Sequence, residues 1–315
     1  MDSLAHDRST RAVATGAGRI GGEPLWRVGG EALRKQLANI REQVGPVRAG
    51  DDAEAIHQMR VATRRLRTMA HILQDTAAFR RGRVNRLRRR LRPLARRLGV
   101  VRDLDILLQR LDQFVCEGDG AARESGLLRD KLVERRARAL RQVRQALRQR
   151  KTRRLVRHPR RAARRLVTRT EAGRRMLVRQ VAGSALWSRY EAILRFADVI
   201  AAAGPTEQLH ALRIACKQLR YALELFSEED DARAQALMTT LKEAQDQLGE
   251  LQDSVFAVTL LTRLGGAHLS DPQLDDFRAV QAARRDTLQQ GVAPYWERIS
   301  AASFREELAA LIGAL

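Results

Sequence analysis

A twelve-residue pattern occurs twice in this chain and constrains its fold more than any other feature. The first copy spans Ile56–Arg67 and the second spans Leu209–Arg220, 153 positions later. Both copies read apolar-His-x-apolar-Arg-apolar-Ala-x-basic-x-Leu-Arg. A second pair of landmarks, Leu98–Asp103 and Leu248–Asp253, follows the two copies in the same order, 150 positions apart. Ordered landmarks at nearly constant spacing predict a duplicated structural unit.

Each copy has the spacing of an amphipathic helix, with apolar residues on one side and bases on the other. The predicted core residues are Ile56, Met59, Leu66, Met69 and Leu73 in the first copy and Leu209, Leu212, Leu219, Ala222 and Phe226 in the second. The opposite faces carry His57, Arg60, Arg64, Arg67 and His71, and then His210, Arg213, Lys217 and Arg220. Like charges one turn apart destabilise a helix. Because this cost recurs in register, we favour an anion-binding face over a solvated one.

The rest of the chain predicts an all-α fold of duplicated helical bundles related by a pseudo-two-fold axis. We find no period-2 apolar run with hairpin chemistry, so no strand is expected. Asp51 and Asp52 are predicted to cap the first signature helix, and Gly99 to end the next helix. Helical periodicity covers about 31–44, 53–79, 84–98, 102–115, 121–150, 182–203, 206–227, 231–249, 251–264 and 271–312.

Composition along the chain predicts four segments. Residues 1–30 are rich in Gly, Ala, Ser and Thr without periodicity, and we interpret them as a flexible N-terminal tail. The first helical repeat covers 31–155 and the second covers 182–312. A very basic connecting segment, 156–181, joins them.

The charge of the chain favours a polyanionic partner. Lys and Arg number 59 against 37 Asp and Glu, giving a net charge of +22. All but five of these bases are arginines, whose planar donor fork fits phosphate oxygens. Nucleic acid, an anionic membrane surface and polyphosphate are the candidates at this point. Only 4% of residues are aromatic, which disfavours stacking on nucleobases. No apolar run approaches the roughly 20 residues of a membrane span.

The cysteines and the start of the chain predict a cytoplasmic protein without a metal or cofactor. Cys116 and Cys216 have no metal-binding spacing and are interpreted as reduced core residues. The first residues contain no apolar segment typical of a secretory signal. No His or carboxylate cluster suggests a metal site.

We also predict that the chain is not an enzyme. It contains no Gly-x-Ser-x-Gly motif, no Walker loop and no acidic metal-binding motif. Asp103, Asp105 and Asp253 are candidates for acid–base chemistry. They are instead predicted to cap the helices that follow Gly99 and Gly249, or to pair with nearby arginines.

At these residues the sequence resembles the CHAD family, the conserved histidine α-helical domain. His57–Arg67 is similar to its signature helix, His210–Phe226 to the second copy, and Leu98–Asp105 to its companion motif. The resemblance covers about 31–312. It implies two four-helix bundles around a pseudo-two-fold axis. It also implies a basic surface or central pore that binds inorganic polyphosphate, with location at polyphosphate granules.

The resemblance assigns polyphosphate binding to the basic residues of the two signature helices, which are His57, Arg60, Arg64, Arg67, His210, Arg213, Lys217 and Arg220. Helical and repeat spacing add Arg89, Arg92, Arg96 and Lys242, the last as the counterpart of Arg92. Solvated surface is an equal alternative for Arg135, Arg136, Arg284 and Arg285. Gln218 and Glu224 replace the bases found at Arg65 and His71, which predicts weaker binding by the second face.

Several alternatives stay open from the sequence. A nucleic-acid-binding basic helical protein fits the same charge, and weak nonspecific nucleic-acid binding is expected in any case. A regulator or partner of a phosphohydrolase is the third reading. His57 and His210 have two candidate roles, donation to phosphate or anchoring of their helix start. The sequence leaves the oligomeric state open.

Overall fold

The computed structural model describes residues 20–49, 52–117, 126–265 and 272–315. A 3₁₀ turn, Ile20–Gly22, precedes the helices. Within the described ranges, the pairing outside helices consists of isolated bridges, Pro24–Leu177 and Phe79–Val167. The prediction of an all-α fold is therefore confirmed. The helices are α1 (Leu25–Glu42), α2 (Val44–Ala49), α3 (Ala53–Leu73), α4 (Arg81–Glu117), α5 (Gly126–Arg148), α6 (Arg150–Arg157), α7 (Pro159–Arg164), α8 (Glu171–Arg175), α9 (Arg179–Leu194), α10 (Ala197–Ala201), α11 (Thr206–Phe226), α12 (Ala232–Gly265), α13 (Pro272–Gln290), α14 (Ala293–Ser300) and α15 (Ala302–Gly313).

The helices pack in two groups, one from each half of the chain. In the first group α1 packs on α3, α3 on α4 and α4 on α5. In the second group α9 packs on α11, α11 on α12 and α12 on α13, while α14 and α15 also contact α12. All ten predicted core residues of α3 and α11 are buried, as expected from their spacing. The groups meet where α3 packs on α11 and α4 on α12. A pseudo-two-fold relation between them stays a prediction.

The two longest helices run through glycines that were predicted to end them. α4 continues past Gly99 and α12 past Gly249, so the predicted helix ends at these positions were wrong. A helix-interior glycine costs about 1 kcal/mol relative to alanine. On α4 the buried side chains of Leu98 and Val101 continue the apolar stripe across Gly99. Burial of that stripe on both sides outweighs the cost of the glycine.

The first helix begins at Leu25, earlier than the predicted Glu31. Leu25 is fully buried, and its amide donates to the carbonyl of Met176 at 2.8 Å. The amide of Val178 donates to the carbonyl of Glu23 at 3.0 Å. These partners lie about 150 residues away in the chain, so no local pattern reveals them. Residues 20–30 are therefore not the loose tail that was predicted, while 1–19 lie outside the described residues.

Other boundaries also differ from the predictions. The connecting segment, for which no helix was predicted, contains the short helices α7 and α8. The long helix predicted at 271–312 is divided into α13, α14 and α15, and Pro294 lies in the first turn of α14. Proline cannot donate a backbone hydrogen bond in a helix interior, which favours a break before it. The helix predicted at 182–203 is divided into α9 and α10.

The two cysteines have different surroundings. Cys216 is buried, as predicted, and burial raises the pKa of its thiol to about 12. Cys116 is exposed near the end of α4, so its assignment to the core was wrong. In the part of the chain that the structure describes, no helix combines the length and apolarity needed to cross a membrane.

Candidate anion-binding site

The start of α3 is fixed by a side-chain cap. The Asp52 carboxylate accepts a hydrogen bond from the Ala55 amide at 2.9 Å, which confirms the predicted cap at Asp52; Asp51 lies outside the described residues. The apolar stripe of α3 is buried in the first group of helices. The opposite stripe therefore faces the junction with α11 and α4.

At this junction, bases from three helices form what we call the central basic cluster. Its members are Arg60 and Arg64 of α3, Arg102 of α4, and Arg213 and Lys217 of α11. Desolvation and then the charges of Arg213, Arg64 and Arg60 lower the pKa of Lys217 to about 6. Desolvation and then the charges of Arg64 and Arg102 lower the pKa of Arg60 to about 10. The two signature faces therefore converge in the folded chain.

Two carboxylates lie beside the central basic cluster. Burial, and then the neighbouring charge of Asp253, raises the pKa of Asp103 to about 6, while Arg60 and Arg213 oppose the shift. Burial also raises the pKa of Asp253 against the effect of Arg213. Both residues lie within continuous helices, so the prediction that they cap helices was wrong. The pair offsets only part of the positive charge around it.

The central basic cluster keeps donors that no carboxylate satisfies. Among the described residues, none of its five members forms an ion pair. The buried Nε atoms of Arg60 and Arg102 have no hydrogen-bond partner there. Elsewhere pairing is common, as between Arg129 and Asp112 at 3.0 Å. Buried donors without acceptors cost free energy that an anionic ligand can recover.

A buried tyrosine connects the two signature helices. Arg64 Nε donates to Tyr221 Oη at 2.7 Å. The guanidinium groups of Arg64 and Arg220 lie 5.8 and 4.9 Å from the centre of the Tyr221 ring. Arg220 Nε also donates to the side-chain oxygen of Gln245 on α12 at 3.2 Å. Sequence analysis missed Tyr221, although helical spacing places it on the basic face of α11, four residues after Lys217. The search of that face considered only bases and histidines, and contact with α3 depends on how the two helices pack.

A second set of bases extends the surface along α3 and α4. We call Arg67, Arg88, Arg92 and Arg96, together with His71, the lateral basic cluster. Desolvation and then the charges of Arg88, Arg92 and Arg96 lower the pKa of Arg67. The buried Nε atom of Arg67 has no hydrogen-bond partner among the described residues. Arg92 and Arg96 therefore lie beside the signature helix, as helical spacing predicted.

The chain is similar to known proteins in sequence and in fold. The CHAD domain family model matches residues 31–262. The chain belongs to the CHAD domain family. Two solved structures share its fold. The crystal structure of the CHAD domain from the plant Ricinus communis is 21% identical, with a TM-score of 0.69, and the match covers 88% of this chain and 93% of that one. PptA from Streptomyces chartreusis is 20% identical, with a TM-score of 0.68, and the match covers 88% and 99%. A search of curated protein sequences found no match.

Some predicted site residues of this CHAD domain lie apart from the two clusters. Arg89 is exposed on α4, and it is Arg88, which sequence analysis missed, whose charge acts on Arg67 and His71. Lys242 is exposed and lies 4.0 Å from the carboxylate of Asp246. By the repeat spacing of 150 positions, Asp246 stands where the first repeat has Arg96. The second repeat thus offers less positive charge than the first at this place.

The weaker candidates are mostly neutralised by carboxylates. Ion pairs join Arg136 to Asp105, Arg284 to Glu250 at 2.6 Å and Arg285 to Asp286 at 2.7 Å. The first pair agrees with the alternative that Asp105 contacts a nearby arginine. Arg135 is exposed.

Glu224 and Arg110 connect the two groups of helices. Glu224 pairs with Arg65 of α3 at 3.3 Å. Arg110 of α4, which sequence analysis missed, donates to Ser254 Oγ at 2.9 Å and to Gln281 Oε1 at 3.1 Å. The departure at Glu224 from the first repeat therefore neutralises a base of α3 rather than adding to the site.

The two family histidines are neutral near pH 7. Desolvation and then the charges of Arg60 and Arg102 lower the pKa of His57. Desolvation, followed by Arg213 and Lys217, lowers the pKa of His210, while a hydrogen bond with the Gln252 side chain acts in the opposite direction. Each ring therefore offers one N–H donor rather than a full charge. In the described part of the chain, no group of three or more His, Cys, Asp or Glu residues is arranged to hold a metal ion.

Proposed function

We propose that this chain binds inorganic polyphosphate across the central and lateral basic clusters. The observation that carries the proposal is the convergence of Arg60, Arg64, Arg213 and Lys217 without ion-pair partners among the described residues. Arginine side chains offer donors only, so a matching ligand must supply acceptors. Phosphate oxygens are such acceptors, and they take up bidentate guanidinium bonds.

The extent of the surface favours a polymer over a single phosphate. Arg60 and Arg67 are seven residues apart on α3, which is about 10 Å along the helix axis. Arg92 and Arg96 extend the same positive surface onto α4. A chain of consecutive phosphates can contact both clusters at once. It also releases condensed counterions when arginines replace them, so affinity is expected to fall steeply with salt.

A nucleic acid fits the site less well. Base stacking needs an exposed aromatic face. The ring nearest the central basic cluster belongs to Tyr221, which is fully buried and lies against the guanidinium groups of Arg64 and Arg220. We expect long-chain polyphosphate to displace labelled single-stranded DNA at far lower charge equivalents than the reverse. If DNA displaces polyphosphate more readily, nucleic-acid binding becomes the better assignment.

The direct test is a titration with long-chain polyphosphate at several salt concentrations. The double variant Arg60→Gln/Arg64→Gln should bind more weakly, and the slope of log affinity against log salt should fall by about two. The matched control is Arg129→Gln/Arg138→Gln, which removes two exposed arginines that already pair with carboxylates. Equal effects of the two double variants, with helical circular dichroism intact, would argue against the proposed site.

We also propose that the chain binds polyphosphate without cleaving it and resides in the cytoplasm at polyphosphate granules. The charges around Asp103 are Asp253 and the guanidinium groups of Arg60, Arg213 and Arg102, which suits a binding surface. Incubation with polyphosphate and Mg²⁺ should release no phosphate. Release that Arg64→Ala abolishes would identify an enzyme, and release seen only with an added phosphohydrolase would favour a regulator. A fluorescent fusion tests the granule location.

A further inference from the structure

The segment between the two groups of helices carries much of the positive charge of the chain. Residues 150–179 contain thirteen Arg and Lys and one acidic residue, Glu171. Glu171 forms an ion pair with Arg175. The other twelve bases have no acidic residue within their own segment, and none of them belongs to the central or lateral basic cluster.

Part of this charge lines a cavity of about 420 Å³ between α7, the start of α4 and the residues that follow α7. The lining contains no carboxylate and no aromatic ring. It consists of Arg80, Arg83, Arg160, Arg161, Arg164, Arg165, Val167 and Arg169. We call it the arginine cavity.

Backbone contacts fix the two walls of the arginine cavity. The amide of Arg80 donates to the Leu166 carbonyl at 2.8 Å, and the amide of Thr168 donates to the Ala78 carbonyl at 2.9 Å. Arg83 Nη1 donates to the Arg165 carbonyl at 3.0 Å. The start of α4 is therefore tied to the segment after α7, and the arginines do not depend on a ligand to bring them together.

The arginines of the cavity lie close together with little counter-charge, since Glu31, whose carboxylate acts on Arg160, itself pairs with Arg34. Among the described residues, none of the seven forms an ion pair, although exposed arginines elsewhere do, as Arg27 does with Glu23 at 3.2 Å. Desolvation and then the charges of Arg80, Arg165 and Arg169 lower the pKa of Arg83. Like charges this close repel one another, and an anion bound among them would offset that repulsion.

The arginine cavity is separate from the proposed polyphosphate surface. Arg83 and Arg88 are five residues apart on α4, which turns them about 140° from each other around the helix axis. The charge of Arg88 acts on Arg67 and His71. Arg83 instead interacts with bases of the connecting segment. α4 thus presents one basic side to α3 and another to the arginine cavity.

We propose that the arginine cavity is a second phosphate-binding site, which takes a short run of consecutive inorganic phosphates. A lining of donors requires a ligand rich in acceptors, and phosphate oxygens meet that requirement. A nucleotide would find no ring on which its base could stack. The run of phosphates has two sources, a free oligophosphate or the end of a longer polymer. This site uses no residue of the central or lateral cluster and therefore goes beyond the proposed function.

Isothermal titration with tripolyphosphate tests the proposal in three variants of the full chain. Arg161→Gln/Arg164→Gln/Arg165→Gln removes exposed charges from the cavity. Its matched control, Arg153→Gln/Arg154→Gln/Arg157→Gln, removes three exposed arginines of α6 that do not line it. Arg60→Gln/Arg64→Gln disables the central basic cluster. The cavity variant should weaken one class of site by on the order of tenfold or more, because charge-assisted contacts are lost. The α6 control should leave that class unchanged.

The outcomes separate this proposal from the proposed function. If the cavity variant binds like the α6 control, or if Arg60→Gln/Arg64→Gln removes all tripolyphosphate binding, the arginine cavity is not a site. If Arg60→Gln/Arg64→Gln binds phosphate polymers as tightly as the wild type and only the cavity variant loses binding, the arginine cavity is a site and the proposed function fails. Arg80→Gln/Arg83→Gln, on the opposite wall, must reproduce the loss with unchanged circular dichroism.

A second arm of the experiment identifies the source of the phosphates. In this arm, long-chain polyphosphate competes with bound tripolyphosphate for the arginine cavity. If only chain ends bind there, the amount of tripolyphosphate displaced should follow the concentration of polymer ends. Displacement in proportion to total phosphate instead indicates that internal phosphates bind. Displacement of tripolyphosphate by single-stranded DNA at lower charge equivalents would overturn the assignment to inorganic phosphates.

Discussion

Arg64 and Tyr221 are 157 positions apart in sequence, and their side chains share a hydrogen bond of 2.7 Å at the junction of the two groups of helices. Tyr221 is fully buried, so the packing around its ring fixes the position of its hydroxyl group. The guanidinium group that we assign to polyphosphate is therefore positioned by a residue of the opposite repeat. Packing of the two groups of helices and formation of the proposed binding surface are therefore coupled through this contact.

Tyr221→Phe should weaken both stability and binding. The variant keeps the ring beneath Arg64 and removes only the acceptor, and a hydrogen bond to a charged group contributes about 1.5–3 kcal/mol. We expect a fall of that order or less in the free energy of unfolding, and a several-fold loss of polyphosphate affinity. Urea unfolding and a binding titration measure the two effects.

Tyr190→Phe is the control for this prediction. It removes a buried hydroxyl that donates to the Ile299 carbonyl at 3.2 Å, inside the second group of helices. This variant should lose stability and keep its polyphosphate affinity. Unchanged affinity in Tyr221→Phe would mean that Arg64 does not need its anchor.

Gly249→Ala should weaken polyphosphate binding while it raises the stability of the fold. A β-carbon at Gly249 would lie 2.9 Å from Nη2 of Arg213, whereas one at Gly99 would meet no atom within 4 Å. Alanine in place of a helix-interior glycine adds up to about 1 kcal/mol of stability. We expect both variants to melt at higher temperature, and only Gly249→Ala to bind polyphosphate more weakly because Arg213 is displaced. Equal affinities would show that Arg213 moves aside without cost.

Polyphosphate affinity should rise as the pH falls from about 7.5 to about 5.5. The pKa of Asp103 is raised to about 6, so this carboxylate loses its negative charge below that pH. The pKa of Lys217 is lowered to about 6, so the amine gains its positive charge over the same range. Both changes add positive potential, and we expect an increase on the order of tenfold.

Asp103→Asn tests the cause of this pH dependence. The variant imitates the protonated carboxyl group at every pH, so it should bind more tightly than the wild type near neutral pH and show a flatter profile. Asp112→Asn removes an exposed carboxylate of the same helix that pairs with Arg129, and it should keep the wild-type profile. A profile for Asp103→Asn as steep as that of the wild type would sink the assignment.

The two repeats should contribute unequally. Arg92→Gln/Arg96→Gln removes bases that act on Arg67, whereas Lys242 lies beside the carboxylate of Asp246. We therefore expect the double variant to lower affinity markedly and Lys242→Gln to change it little. Asp246→Asn should raise affinity slightly by freeing Lys242. Binding titrations at one low salt concentration decide the matter, and equal losses in the first two variants would contradict it.

The helices of the fold could be predicted from the sequence, but their ends often could not. Apolar spacing identified the buried faces of α3 and α11 residue by residue, because that spacing is a local property. The end predicted at Gly99 was wrong because burial on both sides of the glycine outweighs its intrinsic cost. The start at Leu25 depends on Met176 and Val178, and such long-range partners leave no mark in the neighbouring sequence.

The same distinction applies to the site. Helical spacing placed Arg60 and Arg64 on one face, and the structure brings them to Arg213 and Lys217. Asp103 could not be placed beside Arg60 from the sequence, since that relation depends on how α3 and α4 pack. Charge density indicated that the connecting segment was unusual, yet only its pairing with the start of α4 forms the arginine cavity.

Helix α4 sets the distance between the arginine cavity and the central basic cluster. Arg83 at its start and Asp103 beside the central basic cluster are twenty residues apart, which is about 30 Å along a helix of ideal rise, and Pro93 lies between them. A single phosphate polymer that touches the cavity and the centre together must span at least that distance. Shorter polymers can bind in the arginine cavity or at the central basic cluster, but they cannot reach both. The separation along α4 therefore sets the minimum polymer length at which one molecule can occupy the two regions together.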